Sequence, residues 1–455
     1  MTDATVGAQQ ETVLPIEEPT VTLVSDGYRR YAMVMLLIIY ILNFLDRSVI
    51  NILAEPIKME LGLMDWQLGL LTGLAFAIFY TVLGLPIAQL AERHNRPAII
   101  AVSLTVWSMM TAACGLAQNF FQLILARIGV GVGEAGCTPA AHSLISDYVP
   151  REQRASALAF YSMGTPLGSL LGLAVGGLVA DAYGWRMAFI VCGLPGVLFA
   201  IIAAFTLIEP RIKKAVSAVQ AAAAPKVTYR QALKTLANKK TFGLVAGGAA
   251  VKAFIGYGHA PFTASFFYRN HTEEIASLAA MFGLKSGGFL GLSLGLVGGI
   301  GGVIGTYIGG QLADHYAKKD LRGWMVIPAV AALINIPIYL LAINMHSAVL
   351  ALSIFVITSA LGSLWYGPIY ATAQSIAPVN TRATASAVML FVINLIGLGL
   401  GPLVVGLMSD GFAVGFNLGT AEGVRWALMI SMGFNIIAAG CFWAARKTIA
   451  GDMES

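Results

Sequence analysis

Apolar positions run through this chain in twelve long blocks, separated by short polar stretches that carry most of the charge. The blocks lie near 31–52, 67–91, 97–116, 120–145, 155–180, 185–208, 241–268, 289–313, 324–344, 348–372, 383–408 and 424–446. Each has about 20 residues or more, enough to cross a ~30 Å hydrocarbon core. A backbone inside lipid has to satisfy its own hydrogen bonds, so each block reads as a helix. Six blocks fall in each half, and the halves share wording. Arg154-Ala155-Ser156-Ala157 returns in the second half as Arg382-Ala383-Thr384-Ala385, and each copy follows a proline, Pro150 or Pro378, at the same spacing. Each copy opens a glycine-rich block that closes on an Asp, Asp181 or Asp410. A second pair, Gln89-Leu90-Ala91-Glu92 and Gln311-Leu312-Ala313-Asp314, repeats with nearly the same offset. The chain is a duplicated unit, a common construction for secondary transporters.

This pattern divides the chain into an acidic, disordered N-terminus (1–30), a first six-helix bundle (31–208), a linker (209–240), a second bundle (241–447) and a short tail (448–455). Within the linker, 215–225 reads as flexible. Residues 226–240 read as a short basic helix lying on the membrane surface, with Tyr229, Leu233 and Leu236 on one face.

Composition supports a membrane protein. Apolar residues make up 57% of the chain and charged residues only 11%, against about 25% charged in a soluble domain. Twenty Lys and Arg fall on the side that holds both termini and five on the other, which predicts cytoplasmic termini. The net charge of +5 then faces anionic lipid, and no nucleic-acid partner is needed to explain it. The four cysteines fall in the blocks without metal-ligand spacing, so neither a metal nor any other cofactor is expected. No nucleotide-binding loop and no nucleophile–His–acid set occur outside the blocks, which disfavours an ATP-driven pump and an enzyme. The short loops suggest a bacterial inner membrane, and a monomer is expected.

Gly310-Gln311-Leu312-Ala313-Asp314-His315-Tyr316-Ala317-Lys318-Lys319 resembles the G-x-L-A-D-R-x-G-R-R loop of the major facilitator superfamily. The first-half copy, Ala88 to Pro97, departs from it at Ala88, Glu92 and Asn95. Residues 31–208 resemble the spinster branch through Asn43-Phe44-Leu45-Asp46-Arg47, Arg127-Ile128-Gly129-Val130-Gly131-Val132-Gly133-Glu134, Pro166-Leu167-Gly168-Ser169 and Gly184-Trp185-Arg186. The resemblance implies an all-α membrane protein, with twelve transmembrane helices in two pseudo-symmetric six-helix bundles around a central cavity lined by the first, fourth, seventh and tenth helices. It also implies an alternating-access carrier of a lysolipid or sphingoid-phosphate-like anion, with membrane lipid, that small amphiphile and protons as partners. It further places Arg96 beside Asp147 and Glu92 near Thr381, in a cytoplasmic gate that includes Arg93, Arg151, Arg154, Asp314 and Arg382. A carrier of small organic anions or drugs, a passive lipid scramblase and a membrane-embedded lipid enzyme are the alternatives.

Ionisable residues inside a span are costly and usually functional. Asp46 and Arg47 lie deep in the first helix, and Arg127, Gly131, Glu134, Thr138 and His142 share one face of the fourth. Depth along the helices pairs Asp46 with Arg127, leaving Glu134 the freer carboxyl, and Asp46 or Glu134 is expected to satisfy Arg47 in part when no substrate is bound. Lys252, Gly256, His259 and Thr263 share a face of the seventh helix, and Ser359, Ser363, Tyr366 and Tyr370 a face of the tenth. The expected substrate contacts are Arg47, Arg127, Lys252, Tyr366 and Tyr370, and the expected proton carriers are Glu134 and Asp46. The competing reading is a set of ion pairs that only fix helix packing, although a buried pair is often no more stabilising than apolar contact.

Overall fold

The computed structural model describes residues 24–150, 153–210, 229–317, 320–378 and 381–454. Among the described residues, twelve helices are long and apolar enough to span a membrane. They are α1 Asp26–Leu61, α2 Asp65–Ala91, α3 Arg96–Cys114, α4 Phe120–Tyr148, α5 Ser156–Tyr183 and α6 Trp185–Thr206 in the first half. The second half has α7 Lys240–Asn270, α8 Ser286–Tyr316, α9 Gly323–Ile343, α10 Ala348–Ser375, α11 Thr384–Gly415 and α12 Gly419–Ala445. No strand occurs among the described residues. Because spans alternate in direction, one end of the molecule holds both termini (the terminal end). The other is the far end.

All twelve expected blocks are spans, but α1 runs well past the expected 52, to Leu61. The charged Glu55, Lys58 and Glu60 and the internal Pro56 read as a loop, yet the helix continues through them. It stops at Gly62, whose φ of 63° is the left-handed cap that glycine adopts without steric cost. Among the described residues three shorter helices lie outside the spans, one of them Ile449–Glu454 after α12. Tyr229–Asn238 is the expected linker helix, and its Leu236 is buried in the core of the second half. Thr272–Met281 follows α7 at the far end. The stretch 215–225 that was expected to be flexible, most of the N-terminal segment and Arg151 lie outside the described residues.

Lipid tails are as apolar as leucine, so these helices associate through close packing of small residues. Gly168 and Gly172 of α5 let the backbone of α1 approach. A Cβ on either would lie 2.4 or 2.5 Å from the carbonyl of Ile41 or Leu45. Between the halves the close contacts are α5 with α8 and α2 with α11. A Cβ at Gly177 would lie 2.1 Å from the Gly287 carbonyl, and one at Gly406 2.4 Å from the Asp65 carbonyl. Both positions are at the far end, where the halves touch.

Several spans are interrupted in register with the duplication. The helix of α4 breaks after Glu134, with Ala135 as its cap, and that of α10 breaks after Ser363, with Leu364 as its cap. The two breaks occupy equivalent places in the duplicated unit, since each falls in the span just before the repeated motif that begins at Arg154 or Arg382. The break in α4 sets a buried carboxylate at the end of a helical stretch, near the middle of the span.

The tight far-end contacts give a first prediction. Gly406→Leu should force α11 away from α2 and populate a form parted at the far end. Spin labels at positions 64 and 416 should report a longer separation than in the parent protein. An unchanged separation in a folded variant would contradict it.

Candidate functional site

Arg47 of α1 reaches across to α4 and donates from Nε to Glu134 Oε2 at 2.5 Å. Glu134 is wholly buried, and the Arg47 side chain keeps 13% of its surface accessible. Three rings surround the guanidinium, with Cζ 5.2 Å from the centroid of Phe44, 4.9 Å from Phe76 and 4.4 Å from Tyr80. Phe76 comes this close because Gly131 has no side chain, where a Cβ would lie 2.6 Å from the Phe76 carbonyl. A desolvated cation over aromatic faces gains up to about 2 kcal/mol. The guanidinium is thus held on its faces by rings and on one edge by a carboxylate, so an incoming anion can compete for the edge alone.

Asp46, the neighbour of Arg47, points elsewhere. It is buried and accepts from Thr111 Oγ1 of α3 at 3.2 Å. Arg127 is also buried and donates from Nε to the Leu71 carbonyl at 3.3 Å. Leu71 belongs to the π-helical turn Leu70–Leu74 within α2, and π turns are frequent at functional sites. Asp46 and Arg127 lie within electrostatic reach but make no ion pair among the described residues. One oxygen of Asp46 and one terminal nitrogen of Arg127 lack a hydrogen-bond partner. Both residues are set in the wall of the first bundle, and Phe76 lies against both arginines. The carboxyl expected to be freer, Glu134, is the one that is paired.

Tyrosines complete the surroundings of Arg47. Tyr80 and Tyr257 lie within electrostatic reach of its guanidinium, and Tyr40 neighbours Tyr80, Tyr257 and Arg47. Tyr370 of α10 lies within reach of Tyr257 and Tyr40, and Tyr366, 40% exposed, stacks on Trp365 at 4.2 Å. Sequence reasoning named Tyr366 and Tyr370 but missed Tyr40, Tyr80 and Tyr257. The available signal was Tyr40, two turns before Arg47 and so on the same helical face.

Lys252 is not part of this cluster. It is buried inside the second half and donates to Asn435 Oδ1 of α12 at 2.9 Å. His259 lies within hydrogen-bond distance of Ser431 Oγ, 2.8 Å away on the same helix as Asn435. These contacts join α7 to α12.

At the terminal end, Arg96 is buried at the start of α3. Its guanidinium lies 2.7 Å from Asp147 Oδ2 and pairs with Glu209, to which its backbone N–H also donates at 2.9 Å. It donates further to the Ser143 carbonyl at 3.0 Å. The cluster therefore knits α3, α4 and the segment after α6 within one half. Glu209 had no sequence signal beyond its charge. Arg154 lies beside the Val149 carbonyl, and Asp314 is exposed. The side chains of Glu92, Arg93 and Arg382 lie outside the described residues. Thr381, the expected neighbour of Glu92, is buried.

Among the described residues, the polar contacts that join the halves lie at the far end. Arg269 of α7 donates to Glu55 of α1 at 2.7–3.0 Å and to both oxygens of Asp65 at 2.8 Å. Lys58 and Ser409 reach the same carboxylate at 2.5 and 2.6 Å. The aspartates that close the repeated blocks play matching parts here. Asp410 of α11 accepts from the first amides of α2, Asp65 at 3.1 Å and Trp66 at 2.8 Å. Asp181 of α5 accepts from the first amides of α8, Gly287 at 3.2 Å and Gly288 at 2.6 Å. Each acidic side chain caps the positive end of a helix in the other half. Sequence reasoning marked both aspartates as repeat boundaries without a partner, and it left this network out.

Residues 36–402 match the Major Facilitator Superfamily. An MFS-type efflux pump of Mycolicibacterium smegmatis is 33% identical over 415 residues, covering 90% of this chain and 91% of that protein. Protein spinster homolog 1 of Xenopus laevis is 25% identical over 445 residues, covering 94% and 83%. A bacterial homolog to the human lysosomal transporter Spinster, solved in an inward-facing and unoccupied conformation, superposes with a TM-score of 0.81 at 32% identity, covering 94% of this chain and 99% of that one.

The geometry at Arg47 yields a double-mutant test. Arg47→Ala leaves the Glu134 carboxylate buried without its cation, with an expected loss of about 3–5 kcal/mol. Glu134→Gln in the same background should restore much of that loss. Denaturant unfolding at about pH 8, where free carboxylates are ionised, should give a coupling of about 1–3 kcal/mol. Additive effects would show that the two side chains do not support each other.

Proposed function

The chain belongs to the Major Facilitator Superfamily, in its spinster branch, and we propose that it moves an amphiphilic anion across the membrane by alternating access, coupled to protons through Glu134. The observation that carries this reading is the Arg47–Glu134 pair at 2.5 Å. A permanent cation in the middle of a span needs a counter-charge, and here the counter-charge is a group that a proton can neutralise.

When no substrate is bound, Glu134 neutralises Arg47. A phosphate or carboxylate head takes the free edge of the guanidinium and displaces Glu134. Left in a dry site without its cation, the carboxyl binds a proton. Substrate and proton therefore favour each other on the same side of the membrane. The tyrosines offer hydroxyls to a polar head and ring faces to an apolar chain, which suits a lysolipid or sphingoid-phosphate-like molecule. Asp46 and Arg127 act behind this pair, by tuning the field at Glu134. Release on the other side requires the far-end network around Asp65 and the two aspartate caps to part. The Lys and Arg bias assigns the terminal end to the cytoplasm of a bacterial inner membrane, and the Arg96 cluster then braces the cytoplasmic end of the first bundle. The gate assigned to Glu92, Arg93, Asp147, Arg151, Arg154, Asp314 and Arg382 closes at that end when the far end opens.

A second reading, export of drugs or small organic anions, is favoured by the 33% identity to the M. smegmatis efflux pump. It uses the same Arg47–Glu134 chemistry with a different occupant of the tyrosine-lined space.

Flux into proteoliposomes tests both readings. Uptake of a labelled lysophospholipid, or of a test drug, should follow an imposed pH gradient. Glu134→Gln should abolish that response while retaining ligand binding. Arg47→Ala should weaken ligand binding about 10- to 100-fold, as expected for losing a charged hydrogen bond of about 1.5–3 kcal/mol. Flux in Glu134→Gln that still follows the gradient would refute the coupling. Flux of the parent protein that ignores the gradient would favour a scramblase.

A further inference from the structure

At the far end of the second half, away from Arg47, a cavity of about 110 Å³ lies between the ends of α7 and α9 and the start of α12. Arg425, His271 and His346 line it, with Asn344 and the apolar Phe266 and Met345. Arg425 donates to Asn344 Oδ1 at 2.5 Å and to Glu422 at 2.8 Å, and its Nε has no acceptor. The guanidinium is therefore oriented with one donor to spare. The His271 side chain is almost wholly buried and lies 3.6 Å from Glu274. Arg425 and His346 are the other charged or titratable groups that face it. Glu422 does not line the cavity but pairs with Arg425 at its edge. Glu274 is committed elsewhere, because it accepts from the Ala348 amide at 2.6 Å and the Ser347 hydroxyl at 2.9 Å and so caps α10.

We propose that this cavity is a second anion site, which takes the phosphate group of a lipid head or free phosphate when the His271 imidazole carries a proton. One guanidinium and two imidazoles form a donor set of the kind that binds phosphate oxygens. The space is large enough for a phosphate group with attendant water. The charge balance makes occupancy depend on acid. With neutral imidazoles, Arg425 is outweighed by the carboxylates of Glu274 and Glu422. With His271 protonated, the two carboxylates are balanced and an anion is no longer repelled. Burial, with help from Arg425 and His346, holds the His271 imidazole below its ordinary range despite Glu274. Partial burial opposes ionisation of Glu274, but the Ala348 amide and Ser347 hydroxyl keep its carboxyl below the ordinary range, so it stays charged. A bound anion raises the affinity of His271 for its proton. Binding is thus strongest below the imidazole range and is lost as pH rises through it. Trp426, next to Arg425 and 43% exposed, offers a lipid chain an aromatic anchor at the membrane boundary.

Calorimetric titration of the full-length protein in neutral-lipid nanodiscs, carrying Arg47→Ala with Glu134→Gln so that the central site does not compete, tests this with two probes, inorganic phosphate and a short-chain lysophosphatidic acid, at about pH 5.5 and about pH 7.5, either side of the imidazole range. At least one probe should bind at the lower pH and about tenfold or more weakly at the higher. Arg425→Gln should remove that binding, and His271→Gln should flatten its pH dependence. Binding of both probes with like affinity assigns the site to free phosphate, and binding of the lysolipid alone assigns it to a head group. Failure of both probes, unchanged binding in Arg425→Gln, or equal affinity at the two pH values would overturn the proposal. If Arg425→Gln does not fold, the pH dependence of His271→Gln decides, and a slope equal to that of the parent protein counts against the site.

Discussion

A charge in the middle of a span has no water to turn to, so it has to be met by protein. Arg47 is the cation on which the centre of this molecule depends, and several local features exist around it. The break in α4 ends one helical stretch on Glu134. The missing side chain of Gly131 brings Phe76 of α2 up beneath the guanidinium. Tyrosines from both halves lie around it. Removing the ring contacts would leave the guanidinium dependent on one carboxylate, and removing the carboxylate would leave a buried cation that only a ligand can neutralise.

The far end obeys the same rule by different means. Glu55, Asp65 and Arg269 form an ion network between α1, α2 and α7. The amides that open α2 and α8 are capped by Asp410 and Asp181 from the opposite half. The duplication explains the symmetry, since the two aspartates close equivalent spans, α5 and the main helical stretch of α11. These contacts hold only while the halves touch. The proposed transport cycle requires them to break together, and water that enters on opening can solvate the Asp65 and Arg269 charges, which are buried while the halves touch. Apolar packing over the same area would be harder to reverse.

The twelve spans were legible because apolar length alone decides what crosses a bilayer. The end of α1 was not, because Glu55, Lys58 and Glu60 look like loop residues until Arg269 and Arg186 are seen to face them. Helical spacing placed Arg47 and Glu134 on usable faces, but pairing depends on helix rotation and on where α4 breaks. Depth suggested Asp46 with Arg127, a pair that is not made, while Asp46 and Glu134 stood as alternative partners for Arg47, and the contact made is with Glu134. Lys252 shows the same limit. Its position in α7 was plain, but its direction, toward Asn435 of α12, depends on how the second bundle packs. Asp181 and Asp410 were visible as a repeat, and only the structure supplies the helix ends that they cap.

The central claim is that an anionic substrate and a proton replace a single Arg47–Glu134 contact. Proton uptake on ligand binding tests it most directly, measured calorimetrically in buffers of different ionisation enthalpy. The account predicts that binding of the transported anion to the parent protein takes up close to one proton per site, and that Glu134→Gln takes up none. Binding with no proton uptake in the parent protein, or equal uptake in both proteins, would contradict it.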